Sequence, residues 1–190
     1  QPWGITSVGT DLYVGEHGNH LIRKIDTTTG AVTTVAGQAG ISGSTDGIGT
    51  TASFHKPTGF AVIGSNLYLS NSGSHVIRQM DLSTNAVSTI AGTDGSFGTS
   101  DGIGTAALFR KPRDFTVIGS NLYVADTNNH LIRKVDIRSG IPTRLAGDPK
   151  DTATECCVGG FQSAVAAECT AFSEDASSCN AERKPLIAGD

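Results

Sequence analysis

A surplus of positive charge is missing from this chain. Lys and Arg number 14 against 18 Asp and Glu, leaving a net charge of -4. A nucleic-acid partner would want a basic face, so the balance argues against one. Long apolar runs are missing too. The longest, around Phe60 to Gly64, falls far short of the ~18 residues that a membrane helix needs. At Gln1 there is neither Met nor a basic-then-apolar leader, as expected of a processed product or a portion of a longer protein. Charged residues make up only 17%, and Met and Trp occur once each. Helical bundles and coiled coils, built on Ala, Leu, Glu and Lys, are excluded by that composition. Catalytic signatures are absent as well: there is no G-x-S-x-G, no phosphate-binding P-loop and no H-E-x-x-H. No N-x-S/T acceptor exists for N-linked sugar, although the Ser/Thr-rich loops would permit O-linked glycan.

What is abundant is Gly, 24 of 190 residues, together with 40 Ser and Thr. Turns and β-branched strands follow from such a mixture. The chain also repeats itself. HLIRKID begins at His20, HVIRQMD at His75 and HLIRKVD at His130, a period of 55 residues. Pro2, Pro57 and Pro112 keep the same period, as do Tyr13, Tyr68 and Tyr123, and Gly37, Gly92 and Gly147. The segment Asp46-Gly47-Ile48-Gly49-Thr50 returns at Asp101 to Thr105.

Each unit reads as four short strands. In the second, Gly59 to Ile63, Leu67 to Ser70, Val76 to Asp81 and Ala86 to Ile90 are separated by Gly/Asn/Ser turns. Four antiparallel strands per repeat are the signature of a propeller blade. The 19 residues from Thr93 to Lys111 then read as a long loop between blades. Asn128-Asn129-His130-Leu131, flanked by LYVAD and IRKVD and closed by Leu145-Ala146-Gly147, resembles the NHL repeat. The first unit departs slightly, with Gly18-Asn19-His20, and the second more, with Gly73-Ser74-His75. The resemblance covers residues 1 to 147 and implies a β-propeller, a fold that serves binding, sensing, scaffolding and sometimes catalysis.

The expected fold class is therefore all-β, with three NHL-type blades of four antiparallel strands at about 2–37, 57–92 and 112–147. Propellers close with roughly 4 to 8 blades, so three form an incomplete ring unless further chain or other subunits complete it. Residues 148–182 read as an insert loop. Arg183-Lys184-Pro185 matches Arg110-Lys111-Pro112 and makes 183–190 a candidate start of a further blade, set against chance in so short a match.

All four cysteines, Cys156, Cys157, Cys169 and Cys179, fall in the insert. Neighbouring cysteines bond each other poorly, which leaves Cys156–Cys169 with Cys157–Cys179, or Cys156–Cys179 with Cys157–Cys169. Two crosslinks would order a polar loop and imply an oxidising, extracellular or cell-surface setting. A zinc site, lacking paired C-x₂₋₄-C spacing, and four reduced thiols are the rival readings.

His20, His75 and His130 share one repeat position. The amidating lyases, whose propellers look like this kind, use His ligands for a metal. Equivalent positions on successive blades are splayed, however, whereas ligand nitrogens must meet within ~2.1 Å of one point. A structural role in the turn between second and third strands fits better. His17 and His55 read as surface or loop residues. Arg23, Arg78 and Arg133 precede Asp26, Asp81 and Asp136 by three, which on a strand puts them on opposite faces; bonds to neighbouring strands or blades are expected instead. Asp46 and Asp101 are weak calcium candidates, since one carboxylate per loop is thin for a cation wanting roughly 6 to 8 oxygens. No other cofactor is expected.

The reading is a non-enzymatic, extracellular, structural or protein-interaction module. It would assemble with copies of itself or with the rest of a larger chain, as a closed ring or a filament. The alternatives are a metal-dependent propeller enzyme of the amidating-lyase type and a ligand-binding sensor domain of a larger surface protein.

Overall fold

The computed structural model describes residues 1–138 and 141–146. The cysteine insert, with Cys156, Cys157, Cys169 and Cys179, and the candidate blade start at 183–190 lie outside them. Among the described residues no helix is long and apolar enough to cross a membrane.

Among the described residues three sheets follow one another in sequence. The first blade comprises β1 (Pro2–Val8), β2 (Asp11–Glu16), β3 (Leu21–Asp26) and β4 (Val32–Ala36), paired antiparallel in sequence order. A short strand, β5 (Gly47–Ile48), comes next. The second blade is β6 (Pro57–Ile63), β7 (Asn66–Asn71), β8 (Val76–Asp81) and β9 (Ala86–Ala91). The third is β10 (Pro112–Ile118), β11 (Asn121–Asp126), β12 (Leu131–Asp136) and β13 (Ile141–Ala146). The inner strand β6 lies between β1 and β10, so the blades stand side by side in an open arc.

Each blade carries the same two irregularities. The first strand gains a residue just after its proline, and the fourth gains one opposite the step from Ile22 to Arg23, Ile77 to Arg78 and Ile132 to Arg133. A bulge re-aims the strand beside it. The fourth-strand bulge falls in every case opposite the repeated arginine.

The core lies between blades rather than within them. Tyr13 and Ile22 of blade 1 pack with Phe60, Leu67, Leu69 and Met80 of blade 2. Tyr68 and Ile77 of blade 2 pack in the same way with Phe115, Leu122, Val124 and Val135 of blade 3. The segments between blades contribute to this core. Ala52 and Phe54, and one period later Ala107 and Phe109, are fully buried. The first segment also adds β5 to the outer edge of β9, with Gly47 opposite Val87. What reads in sequence as a long Gly-rich loop is thus a folded clasp that carries two core side chains per repeat.

Glycine permits the close approach of inner strands. A Cβ on Gly4 would overlap the Thr58 carbonyl, and one on Gly59 would stand 2.7 Å from Asp114 Cα.

Candidate functional site

Arg78, Arg133, His20 and His75, four of the repeated polar residues, belong to the joints between blades. Arg78 is fully buried and reaches into the preceding clasp. Its guanidinium donates to the Ser53 and Thr45 carbonyls, each at 3.0 Å, and to Asp46 Oδ1 at 2.9 Å. It also sits 5.5 Å from the Phe54 ring centroid. Burial pulls Arg78 below the ordinary guanidinium value, and the Asp46 charge opposes that pull. Arg133, also fully buried, repeats the arrangement on Leu108 O, Ser100 O and Asp101 Oδ1, at 3.0, 3.1 and 2.6 Å. Asp46 and Asp101, the calcium candidates, therefore each hold a guanidinium, and Asp46 also accepts from Thr89.

Arg23 stands differently. It donates to Thr34 at 2.9 Å, lies 3.7 Å from Glu16, and its side chain is 28% exposed. Its Nε, the atom that faces Glu16, is buried and makes no hydrogen bond. No clasp reaches it among the described residues.

His20, His75 and His130 each follow a tight turn with φ of 62°, 64° and 56°, the left-handed region that few non-glycine residues adopt. Nδ1 of His20 accepts the Lys56 N–H at 3.2 Å, and Nδ1 of His75 accepts the Lys111 N–H at 3.0 Å. Each bond ties one blade to the start of the next. The corresponding position one period beyond Lys111 lies outside the described residues. Burial, helped by neighbouring positive groups, holds His20 and His75 below the usual imidazole value. Asp26, Asp81 and Asp136 cap the turns between third and fourth strands, each accepting from backbone N–H groups two or three residues on. Those bonds hold Asp26 and Asp81 below the ordinary carboxylate range, the Ser83 hydroxyl contributing most at Asp81.

At the end of the second strand, blades 2 and 3 reach the same result by different chemistry. Asn71 accepts the His55 N–H and donates to the Gly43 carbonyl. Its counterpart Asp126 accepts the Arg110 N–H but has no proton to donate. Asn129, three residues on, supplies the donor to Gly98 O at 2.6 Å and to Asp126 at 2.7 Å. Burial pushes the Asp126 carboxyl up to about 6, against the hydrogen bonds and the Arg133 charge that favour ionisation.

Apart from these joints, a cleft of about 340 Å³ opens where the inner strands begin. Trp3, His17, His55, Lys56, Thr58, Lys111 and Arg113 contribute to its lining. The Trp3 and His17 rings stack with centroids 4.8 Å apart. Burial first, and then Lys56, holds both His17 and His55 below the usual imidazole value. Sequence reading passed over this group. The available signal was a departure from the repeat: positions 3, 58 and 113 are Trp, Thr and Arg. Among the described residues no group of three or more His, Cys, Asp or Glu side chains is placed to hold a metal ion.

Sheets of four antiparallel strands, stacked side by side and locked by the same polar residues at each joint, define β-propeller blades. No family model matches the chain. It is 34% identical over 152 residues to Protein SUPPRESSOR OF QUENCHING 1, chloroplastic, of Arabidopsis thaliana, covering 74% of this chain and 14% of that protein. It is 30% identical over 154 residues to human NHL repeat-containing protein 2, covering 73% of this chain and 21% of that protein. The chain thus spans about a fifth or less of the length of these curated relatives. Among solved structures, an auxiliary nutrient binding protein from Bacteroides ovatus superposes with a TM-score of 0.60 at 24% identity, over 72% of this chain and 35% of that one. A nidogen/laminin complex gives 0.53 at 16% identity, over 77% and 46%. These two share the fold. The chain belongs to the NHL-repeat family.

Proposed function

We propose that this chain is a non-enzymatic protein-interaction module of an extracellular protein, and that the exposed flank of blade 1 receives a further blade, from a longer chain or from a second copy. The observation that carries the reading is the state of that flank. Arg78 and Arg133 spend their guanidiniums on a clasp that precedes their blade. Arg23 has no such clasp, and Asn19 spends its amide on Glu16 at 2.6 Å. Ile5, at the position of buried Phe60 and Phe115, is 60% exposed. The flank thus presents an apolar side chain and a guanidinium, the groups that a blade edge with its clasp engages at the two joints described. Four cysteines confined to one segment support the extracellular setting.

The 55-residue period allows a direct test. A second copy of residues 57–111 fused ahead of Pro2 restores the Lys-Pro junction and places the clasp of residues 93–111 before blade 1. The unfolding midpoint should rise, and Arg23→Ala, nearly neutral in the parent chain, should become as costly as Arg78→Ala. A fused chain no more stable than its parent, with Arg23→Ala still neutral, would refute the reading. Sedimentation equilibrium of the parent then tells copies from further chain: self-association lost in Arg23→Glu marks copies.

A further inference from the structure

The cleft at the start of the inner strands carries three cationic side chains, Lys56, Lys111 and Arg113, and no carboxylate among its lining residues. None of the three has an ion-pair partner among the described residues, whereas Arg23, Lys24, Arg78, Arg133 and Arg138 all do. Neighbouring acids are committed or lie off the lining. Asp114, beside Arg113, accepts from the Phe115 N–H, and Asp94 acts on His55 and His75 from the second clasp. In a chain of net charge -4, three unpaired cations gathered in a concave site repel one another and gain nothing from each other.

A second, independent observation lies in the wall. Thr58 is 2% exposed, lines the cleft, and its hydroxyl has no hydrogen-bond partner. A buried hydroxyl left unpaired costs free energy that an incoming acceptor would recover. The backbones of Lys56 and Lys111 serve the blade joints, but their ammonium groups do not, and Trp3, Thr58 and Arg113 share a repeat position without sharing its chemistry.

We propose that this cleft binds an acidic peptide segment of a partner protein, through carboxylates held by Lys56, Lys111 and Arg113, with Thr58 as a donor and Trp3 as an apolar platform. The proposal rests on reading the chain as an interaction module and names the chemistry of the partner. A compact phosphate is favoured where backbone N–H groups converge. Here the N–H groups of Lys56 and Lys111 are already given to His20 and His75. Only side chains remain, contributed at the starts of blades 2 and 3, and such separate cations suit carboxylates carried on successive residues of an extended chain.

Trp3 is the sole tryptophan of the sequence, so its fluorescence reports on the cleft directly. The 190-residue chain is titrated with a blocked hexaglutamate peptide, with hexaglutamine and with inorganic phosphate. Hexaglutamate should give a saturable change that weakens with salt, and hexaglutamine none. Lys111→Gln and Arg113→Gln should each weaken binding up to roughly fivefold, the upper end for exposed pairs. Lys134→Gln, on a strand away from the cleft, should leave it unchanged. Circular dichroism confirms that the variants fold. Equal responses to both peptides, full affinity in the Lys111→Gln/Arg113→Gln double variant, or phosphate saturating below the peptide concentration would each overturn the proposal. Such a failure leaves the fused-blade result untouched, so the two readings stand or fall separately.

Discussion

Arg78 offers the sharpest test of how the blades are held together. Its guanidinium is fully buried and makes three bonds to the preceding clasp, two of them to the Ser53 and Thr45 carbonyls. Hydrogen bonds to a charged group are each worth about 1.5–3 kcal/mol net. The Asp46 bond deserves less, because that side chain is 53% exposed and screened by solvent. The Nε is buried without a partner, a standing cost that truncation removes. Arg78→Ala leaves two clasp carbonyls without their donor and opens a cavity beside Phe54. A loss of about 3–5 kcal/mol follows, from the carbonyls left unpaired and the cavity left by a large buried side chain. Arg23→Ala removes one bond to Thr34 and a 3.7 Å ion pair at a partly exposed side chain, worth about 1 kcal/mol or less. Arg78→Lys should fall between, since a point charge cannot fork to both carbonyls. Urea unfolding followed by far-ultraviolet circular dichroism measures all three. Equal losses at Arg78 and Arg23, within about 1 kcal/mol, would refute the claim that clasp engagement rather than strand pairing gives this position its weight.

The blades were legible because their signal is local and repeated. Alternating apolar residues between Gly/Asn turns mark strands wherever they occur, and a 55-residue period fixed the register of three units at once. The joints were not legible in the same way. Strand parity argued against Arg78 pairing with Asp81, and Asp81 caps its own turn. The carboxylate that Arg78 finds, Asp46, stands 32 residues earlier in a segment that reads as loop. Only the bulge at Ile77/Arg78 and the folded clasp bring the two together. A lone Asp among glycines looks like a cation ligand for the same reason: nothing local announces a guanidinium arriving from the next blade. The cleft is not marked by repetition at all, since Trp3, Thr58 and Arg113 share a repeat position but no chemistry.

The substitution Asn71→Asp should cost about 1–3 kcal/mol, because the half-buried Gly43 carbonyl loses its donor and meets a carboxylate. Adding Ser74→Asn copies the Asp126–Asn129 solution and should recover most of that loss; a double variant as unstable as the single one refutes the equivalence of the joints. Gly59→Ala should lower stability by roughly 1–3 kcal/mol in thermal unfolding, as its Cβ meets backbone atoms of Asp114 and Arg113 at 2.7 and 2.8 Å, whereas Gly119→Asn, in open space at φ 60°, should be nearly silent. The His joints predict an acid sensitivity. His20 and His75 are held below 6.5 in the folded chain, chiefly by burial, with Nδ1 accepting an N–H that protonation would displace. The unfolded chain therefore takes up protons first as pH falls through about 6.5, and stability, complete above that pH, declines toward the folded values. Asp126 works in the opposite sense, since its folded carboxyl near 6 binds a proton before the unfolded one near 3.8 and so adds stability below about pH 6. Urea midpoints measured from pH 8 to 5 should fall between pH 7 and 6 and then flatten, Asp126→Asn should extend the fall, and a flat or rising profile through pH 7 to 6 would show that the imidazoles do not carry the joints.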